Sequence, residues 1–379
     1  MKKVTLGFLV CLALPGAAQA SAYSDFNAGV AARTDGDYDG AIRFMSQALA
    51  APDLPAHLKP TAFDVRAQAY VQAKKYDLAT QDFTSALSLK PADYDTLYQR
   101  GMLYGMASKY ELARADFAAA IALRPELADA RIAHATAYIA EEKYDDAIRD
   151  YDEAVAREPE TLDWLLLRGE AKRRARRYDA ALADFGAVIG KDGQSSTAYS
   201  LRAFTRLESG DVRQAVSDYD EAIDNDPNDA ELREAAGIAR WTYGDWRGAT
   251  RDLEKSAADP KYAASSALWL HLTALKRGKD DADFAARSAK LDLKTWPGPL
   301  LSLYAGTGSA DDAFASAGQG EAEAQKDRLC QADFFVGEWR LGQKQDADGR
   351  TLLEHAASAC PAEMPEAYAA RAALGALKP

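Results

Sequence analysis

The stretch LYQRGMLYGMASKYELARADFAAAIALRP, residues 97–125, contains the pattern that organises the chain. Its small and aromatic residues (Gly101, then Ala113, Phe117 and Ala120) fall at the spacing of one helix face, and Pro125 closes the stretch. Alanines recur at unbroken intervals of 34 on both sides of it: Ala79, Ala113, Ala147, Ala181, Ala215 and Ala249. A fixed interval of this length predicts a repeat array in which neighbouring units stack on one another.

Within each unit, small residues occur where two helices must approach closely, and aromatic residues fill the space between them. A proline that cannot continue the second helix follows most units, at Pro91, Pro125, Pro159 and Pro227. This pattern resembles the tetratricopeptide repeat, a helix-turn-helix unit of 34 residues. The resemblance implies an all-α fold, a right-handed solenoid of antiparallel helix pairs with a degenerate helical C-terminal extension.

The repeat markers predict five segments along the chain. We expect a signal peptide at 1–20, an array of about seven repeats at 21–263 and a degenerate repeat at 264–299. Short helices and a linker are expected at 300–329, and a last degenerate repeat with a capping helix at 330–379. Because the interval from Ala41 to Ala79 is 38 residues, we also expect a proline-stiffened loop around Pro55.

The first twenty residues have the three parts of a secretory signal. Lys2 and Lys3 precede an apolar stretch from Val4 to Leu14, and Ala18-Gln19-Ala20 is a cleavage site of the small-x-small type. Cys11 lies inside the apolar stretch, after Val10, which favours soluble export over lipid attachment. We therefore predict a periplasmic location, with secretion as the alternative, and no transmembrane segment.

The acidic composition narrows the class of partner. With 46 basic and 58 acidic side chains, the net charge is −12, which disfavours nucleic acid and anionic membranes as ligands. We expect other envelope proteins or peptides as partners, and a homodimer is possible.

Two cysteines, Cys330 and Cys360, follow the signal peptide. In the repeat register they fall at the start of a first helix and the end of its second helix, which are neighbours in an antiparallel pair. An exported chain with an even number of cysteines favours a disulfide between them, and two buried free thiols are the alternative.

The sequence has no motif for catalysis, and its four histidines have no metal-site spacing. We therefore expect a non-enzyme with no cofactor and no metal. A recurring polar pattern, such as Arg100 with Asp116 sixteen residues later, is interpreted as one structural ion pair per unit.

In this repeat family, function usually means binding, and positions 2, 5, 9, 12 and 13 of the first helices line the concave groove. The resemblance implies an apolar peptide-binding groove with the following residues: Phe26, Tyr98, Met102, Met106, Ile132, Ile139, Leu166, Phe204, Leu207 and Trp241. The alternative is that several of these side chains only pack between neighbouring helices. A basic patch of Arg173, Arg174 and Arg177 could anchor an acidic ligand, or it is a solvated helix end.

These features favour a non-enzymatic scaffold or adaptor that holds a peptide segment or partner protein in the envelope. The exported, repeat-only design is similar to that of periplasmic NlpI-like adaptors, which recruit peptidoglycan hydrolases and proteases. A periplasmic holdase or carrier for secreted or outer-membrane clients is the alternative function.

Overall fold

The structure, a computed structural model, describes residues 21–279 and 281–377, so the predicted signal peptide lies outside the described residues. All regular elements in these ranges are helices, and most of them form consecutive pairs. The predicted all-α solenoid of helix pairs is therefore confirmed. The chain divides into two compact units, one up to Glu158 and one from Pro159, here called unit 1 and unit 2.

Unit 1 contains four helix pairs. The helices are α1 (Ala22–Thr34), α2 (Tyr38–Ala50), α3 (Lys59–Gln72), α4 (Tyr76–Leu89), α5 (Tyr94–Met106), α6 (Tyr110–Leu123), α7 (Ala128–Ala140) and α8 (Tyr144–Arg157). A 3₁₀ turn at Ala56–Leu58 lies in the expected proline-containing loop before α3. Odd-numbered helices are the first helices of the pairs, and α5 contacts α7 directly.

Unit 2 begins with three further pairs and ends with less regular helices. The pairs are α9 (Leu162–Arg174) with α10 (Tyr178–Lys191), α11 (Ser196–Ser209) with α12 (Val212–Asn225), and α13 (Ala230–Tyr243) with α14 (Trp246–Ser256). The remaining helices are α15 (Ala263–Lys276), α16 (Phe284–Ser288), α17 (Gly298–Tyr304), α18 (Ala310–Ala317), α19 (Ala322–Gly342), α20 (Asp346–Ala359) and α21 (Pro365–Ala376). Helices α17 and α19 run across positions 299 and 329, where the sequence predicts segment ends.

In several pairs, a glycine of the first helix lies against a large side chain of the second helix. A Cβ atom added to Gly101 of α5 would lie 2.7 Å from the Phe117 ring of α6, and one on Gly169 would lie 2.6 Å from the Phe185 ring. The recurring alanines, such as Ala113 and Ala181, are fully buried. The 34-residue pattern therefore marks the places where the helices have no room for a larger side chain.

The turn inside each pair has a backbone conformation that the residue types do not reveal. Four non-glycine residues in it have positive φ angles: Lys74, Ser108, Glu142 and Arg176, at 56–58°. Gly210 and Gly244 hold the same repeat position in unit 2, at 91° and 94°. The N–H of Lys109 donates to the Tyr104 carbonyl at 2.8 Å, so this turn satisfies the carbonyls at the end of the first helix.

The recurring arginine and aspartate pairs are present as two-point contacts between the helices of a pair. In α5 and α6, Arg100 Nε donates to Asp116 Oδ2 at 2.7 Å and its Nη2 donates to Asp116 Oδ1 at 2.7 Å. Corresponding contacts join Arg66 to Asp82, Arg168 to Asp184 and Arg202 to Asp218. His134 takes the arginine position in α7, and its Nδ1 lies 2.7 Å from Asp150 Oδ2.

The predicted disulfide between Cys330 and Cys360 is confirmed. It joins α19 to the end of α20, and the two Cα atoms are 5.6 Å apart, a usual separation for a disulfide. In the chain-entropy model, a closed loop of this length stabilises the folded state by about 3 to 4 kcal/mol.

Two glycines of α5 give a matched test of the close approach. Gly101→Ala should lower the free energy of unfolding by about 1–3 kcal/mol, because the added methyl group meets the Phe117 ring. Gly105→Ala, in the same helix, meets nothing within 4 Å and should raise it by about 0.5–1 kcal/mol. Urea denaturation followed by circular dichroism measures both, and equal midpoints for the two variants would contradict this account of the packing.

Candidate functional site

The sequence-predicted groove residues divide sharply by their exposure. On the first helices of unit 1, Met102 is 42% exposed and Met106 is 61% exposed, whereas Tyr98, Ile132 and Ile139 are half-buried. These five residues lie on the neighbouring helices α5 and α7, and we call them the unit 1 surface. They are an exposed apolar surface that an incoming side chain can reach.

Three of the other predicted groove residues, Phe26, Leu207 and Trp241, belong to the core instead, so the prediction is wrong for them. Phe26 of α1 is only 8% exposed and packs with Met45 and Val65. Trp241 of α13 is 2% exposed, and its ring centroid lies 5.3 Å from that of Trp269 and 5.8 Å from that of Phe334. In unit 2 the C-terminal helices supply these partners, which the repeat register alone does not reveal.

The remaining predicted groove residues are also in unit 2. Leu166 of α9 and Phe204 of α11 are half-buried, and Phe204 lies under the guanidinium of Arg173, whose Cζ is 4.7 Å from the ring centroid. Leu207 is 1% exposed and lies in the same core cluster as Trp241. In unit 2, Leu207 and Trp241 are therefore covered by the chain itself, whereas Leu166 and Phe204 keep part of their surface exposed.

The predicted basic patch is not a free anion site. Arg173 is 7% exposed and is paired with Glu170 at 2.6 Å and with Glu208 at 2.8 Å. Arg174 is exposed and pairs with the same Glu170 at 2.9 Å. Arg177 is exposed, at the turn before α10. The prediction is wrong for Arg173, because that charge is neutralised inside unit 2.

A polar pocket of about 330 Å³ adjoins α3 and α5 of unit 1. At its base, Asp64 accepts hydrogen bonds from Thr96 Oγ1 at 3.1 Å and from Gln68 Nε2 at 2.7 Å. Gln68 in turn accepts from Arg33 Nη1 at 2.6 Å. Burial raises the pKa of Asp64 to about 6, and the nearby carboxylate of Asp93 acts in the same direction.

The sequence analysis missed this pocket, although one signal in the sequence points to it. Asp64 occupies repeat position 5, where the other first helices of unit 1 carry Phe26, Tyr98 and Ile132. A single acidic residue at an otherwise apolar position is a sign of a local polar network. A second depression of about 510 Å³, lined by Leu78, Leu103 and Met106 among others, adjoins the unit 1 surface.

Two further searches of the structure concern metals and membranes. In residues 21–279 and 281–377, no group of three or more His, Cys, Asp or Glu side chains could hold a metal ion. Over the same ranges, no helix combines the length and apolar character that a membrane crossing requires. Three of the histidines contact carboxylates: His134 with Asp150 at 2.7 Å, His271 with Asp281 at 3.1 Å and His355 with Asp333 at 2.6 Å.

Comparison with known proteins identifies the repeat. Models of the tetratricopeptide-repeat family match residues 61–93, 132–196 and 201–266. No curated protein matches this chain in sequence.

Solved structures of tetratricopeptide-repeat proteins align with the chain. The C-terminal part of a TPR repeat-containing protein from Cytophaga hutchinsonii aligns with a TM-score of 0.54 and 20% identity, over 64% of this chain and 98% of that chain. A tetratricopeptide repeat protein from Parabacteroides merdae gives a TM-score of 0.49 and 20% identity, over 66% of this chain and 98% of that chain. At this identity the Cytophaga structure supports the fold and carries no information about function.

The raised pKa of Asp64 predicts a pH dependence of stability. Because the folded state disfavours the charged carboxylate, the free energy of unfolding of the wild type should fall, relative to that of Asp64→Asn, as the pH rises from about 4 to about 6. Above that range the difference should stay constant. Urea denaturation of both proteins across this pH range measures the difference in the free energy of unfolding. At pH 3 the Asp64 carboxyl is neutral in the folded and the unfolded state, so a measurement there isolates the effect of the amide substitution. Parallel curves for the two proteins at all pH values would contradict the assignment.

Proposed function

We propose that the protein is a non-enzymatic adaptor that binds a peptide segment of a partner protein on the unit 1 surface. The premise is that residues 61–93, 132–196 and 201–266 of this chain are tetratricopeptide repeats. Proteins built from this repeat generally mediate protein–protein interactions. The single observation that supports this location is the exposure of Met102 and Met106 beside the half-buried Tyr98, Ile132 and Ile139.

Methionine side chains suit such a surface because they are flexible and polarisable, and can adapt to partners of different shapes. Tyr98 gives the surface a more rigid component, since its ring is stacked on that of Tyr94 at 6.2 Å and tilted against that of Phe117 at 5.9 Å. Aromatic residues and methionine are both enriched in protein–protein interfaces, and tyrosine is frequent among their hot spots.

We expect Met102→Glu together with Met106→Glu to weaken partner binding at least about tenfold, since both charges would enter an apolar contact. The matched control is Leu112→Glu together with Leu123→Glu, which places two charges at exposed leucines of the second helix α6. A photo-reactive residue at position 106 first identifies the partner in the cell and the crosslinked peptide in it, and the purified partner is then titrated against each variant.

The outcomes of this experiment distinguish the possible functions. Crosslinking to one or a few folded partners, with loss of affinity only in the methionine variant, supports an adaptor. Crosslinking to many unfolded clients supports the holdase function instead. Equal affinities for the methionine and leucine variants would exclude the unit 1 surface as the binding site.

We further propose that the adaptor works in the bacterial envelope. The motif of Lys2, Lys3 and Ala18-Gln19-Ala20 supports export, and the Cys330–Cys360 disulfide is of a kind that persists in oxidising compartments. Intact-mass analysis of the protein isolated from the envelope fraction should give an N-terminus at Ser21, because signal peptidase would cleave after Ala20. Recovery of the full-length chain from the cytoplasm would contradict this location.

A further inference from the structure

The last helix of the chain, α21, lies on the first-helix side of unit 2. It contacts α13, α19 and α20, and the face that it buries includes Tyr368, Ala369, Ala370 and Ala373. Ala372, Ala373 and Ala376 border a cavity together with Trp241 of α13. In the repeat register, Trp241 corresponds to Ile139, three repeats earlier. Helix α21 therefore adjoins a repeat position that belongs, in unit 1, to the unit 1 surface.

The fit of α21 to this place is imperfect at its first turn. Glu366 is 2% exposed, and its Oε2 atom has no hydrogen-bond partner. Burial is the main cause that raises the pKa of Glu366 to about 7. The carboxylates of Glu234 on α13 and Asp327 on α19 act in the same direction, and hydrogen bonds from its own backbone N–H and from Gln331 act against it. The helix therefore places an acidic side chain in surroundings that disfavour negative charge.

The other groups at this place do not supply a compensating cation to Glu366. Glu234 accepts hydrogen bonds from the hydroxyl groups of Ser265 and Ser266, at 2.5 and 3.0 Å, and its own pKa is raised by burial. Lys261, which influences Glu234, is mostly exposed and is paired with Glu231 at 3.4 Å. Gln331 accepts a hydrogen bond from Trp296 Nε1, so its amide is held by a second partner.

The C-terminal half of α21 does not fill all the space beside α13, and polar atoms there lack partners. A cavity of about 240 Å³ remains between its alanines and Trp241, Trp246 and Lys276. The indole Nε1 of Trp241 has no acceptor, and Oε2 of Glu208 on α11 has no donor. Unsatisfied buried polar atoms and an unfilled cavity both weaken the packing of a helix.

We propose that this face of unit 2 is a binding site for an amphipathic helix of a partner protein, one that carries lysine or arginine where α21 carries Glu366, and that α21 is its displaceable occupant. A cation at that place would be attracted by Glu234 and Asp327, whereas Glu366 is repelled by both. A small-residue face like that of α21 would allow the same close approach to α13. The proposal concerns unit 2 and is independent of binding at the unit 1 surface.

The disulfide limits how much of the chain must move. Because Cys360 is bonded to Cys330, helix α20 remains attached to α19 when α21 leaves, and only residues 361–377 need to be displaced. Pro361 and Pro365 border the short connection between the bond and the helix. Two exposed hydrogen bonds also hold the segment, from Arg371 to the Ala357 carbonyl and from Arg350 to the Leu377 carbonyl.

Hydrogen–deuterium exchange of the full chain at pH 8 tests whether Glu366 loosens α21. Glu366→Gln removes the charge and keeps the shape, so the amides of α21 should exchange at least tenfold more slowly than in the wild type. Glu363→Gln, at an exposed glutamate three residues earlier, is the matched control and should leave the exchange unchanged. Equal exchange in the wild type and in Glu366→Gln would overturn the proposal that this carboxylate makes α21 displaceable.

A second experiment tests the ligand class, with fluorescent peptides of residues 361–377 titrated against the full chain. The peptide with Glu366→Lys should bind at least tenfold more tightly than the unchanged peptide, and adding Ala369→Pro, which breaks the helix, should abolish binding. Full-length Glu366→Gln should bind the lysine peptide more weakly than the wild type does, because its own α21 is held more firmly.

The unit 1 variant Met102→Glu with Met106→Glu should bind the lysine peptide normally, which separates this site from the proposed adaptor surface. Equal affinities of the lysine and glutamate peptides, or tight binding of the proline peptide, would overturn the proposal. So would the absence of any binding by the lysine peptide.

Discussion

The rest of the structure depends on how closely the two helices of each helix pair approach one another. Where Gly101 lies against the Phe117 ring, and Gly169 against the Phe185 ring, no Cβ atom fits, and the fully buried alanines extend the same restriction along the second helices. This steric constraint fixes the pairing of the helices. Once the pairs are fixed, the Arg100–Asp116 contact and its three counterparts align the first helix with the second helix in four of the pairs.

The steric constraint also explains why so much of the fold was predictable from the sequence. Residues that must be small, large or charged at a fixed interval leave a visible pattern, and the helix pairs, the ion pairs and the Cys330–Cys360 bond all follow from it. The left-handed turns were not predictable in this way. Lys74 and Ser108 hold the conformation that Gly210 holds in unit 2, because a local hydrogen-bond pattern, and not the residue type, imposes it.

The candidate site was predictable only in part, for a different physical reason. Repeat position tells which side of a first helix a residue is on, and Met102 and Met106, at predicted groove positions, are exposed, while their part in binding stays a prediction. It cannot tell whether another part of the chain covers that side. Trp241 is buried because aromatic residues from α15 and α19 pack against it, and such contacts between distant segments leave no periodic trace.

The Cys330–Cys360 bond changes how the chain responds when it is stretched. In a linear array each repeat is stabilised mainly by its neighbours, so local unfolding begins at a terminal repeat. At the carboxyl end of the described chain, a covalent bond joins α19 to α20, and α21 packs back on α13. When the chain is pulled from its two ends, the residues between Cys330 and Cys360 therefore cannot extend until the bond is reduced.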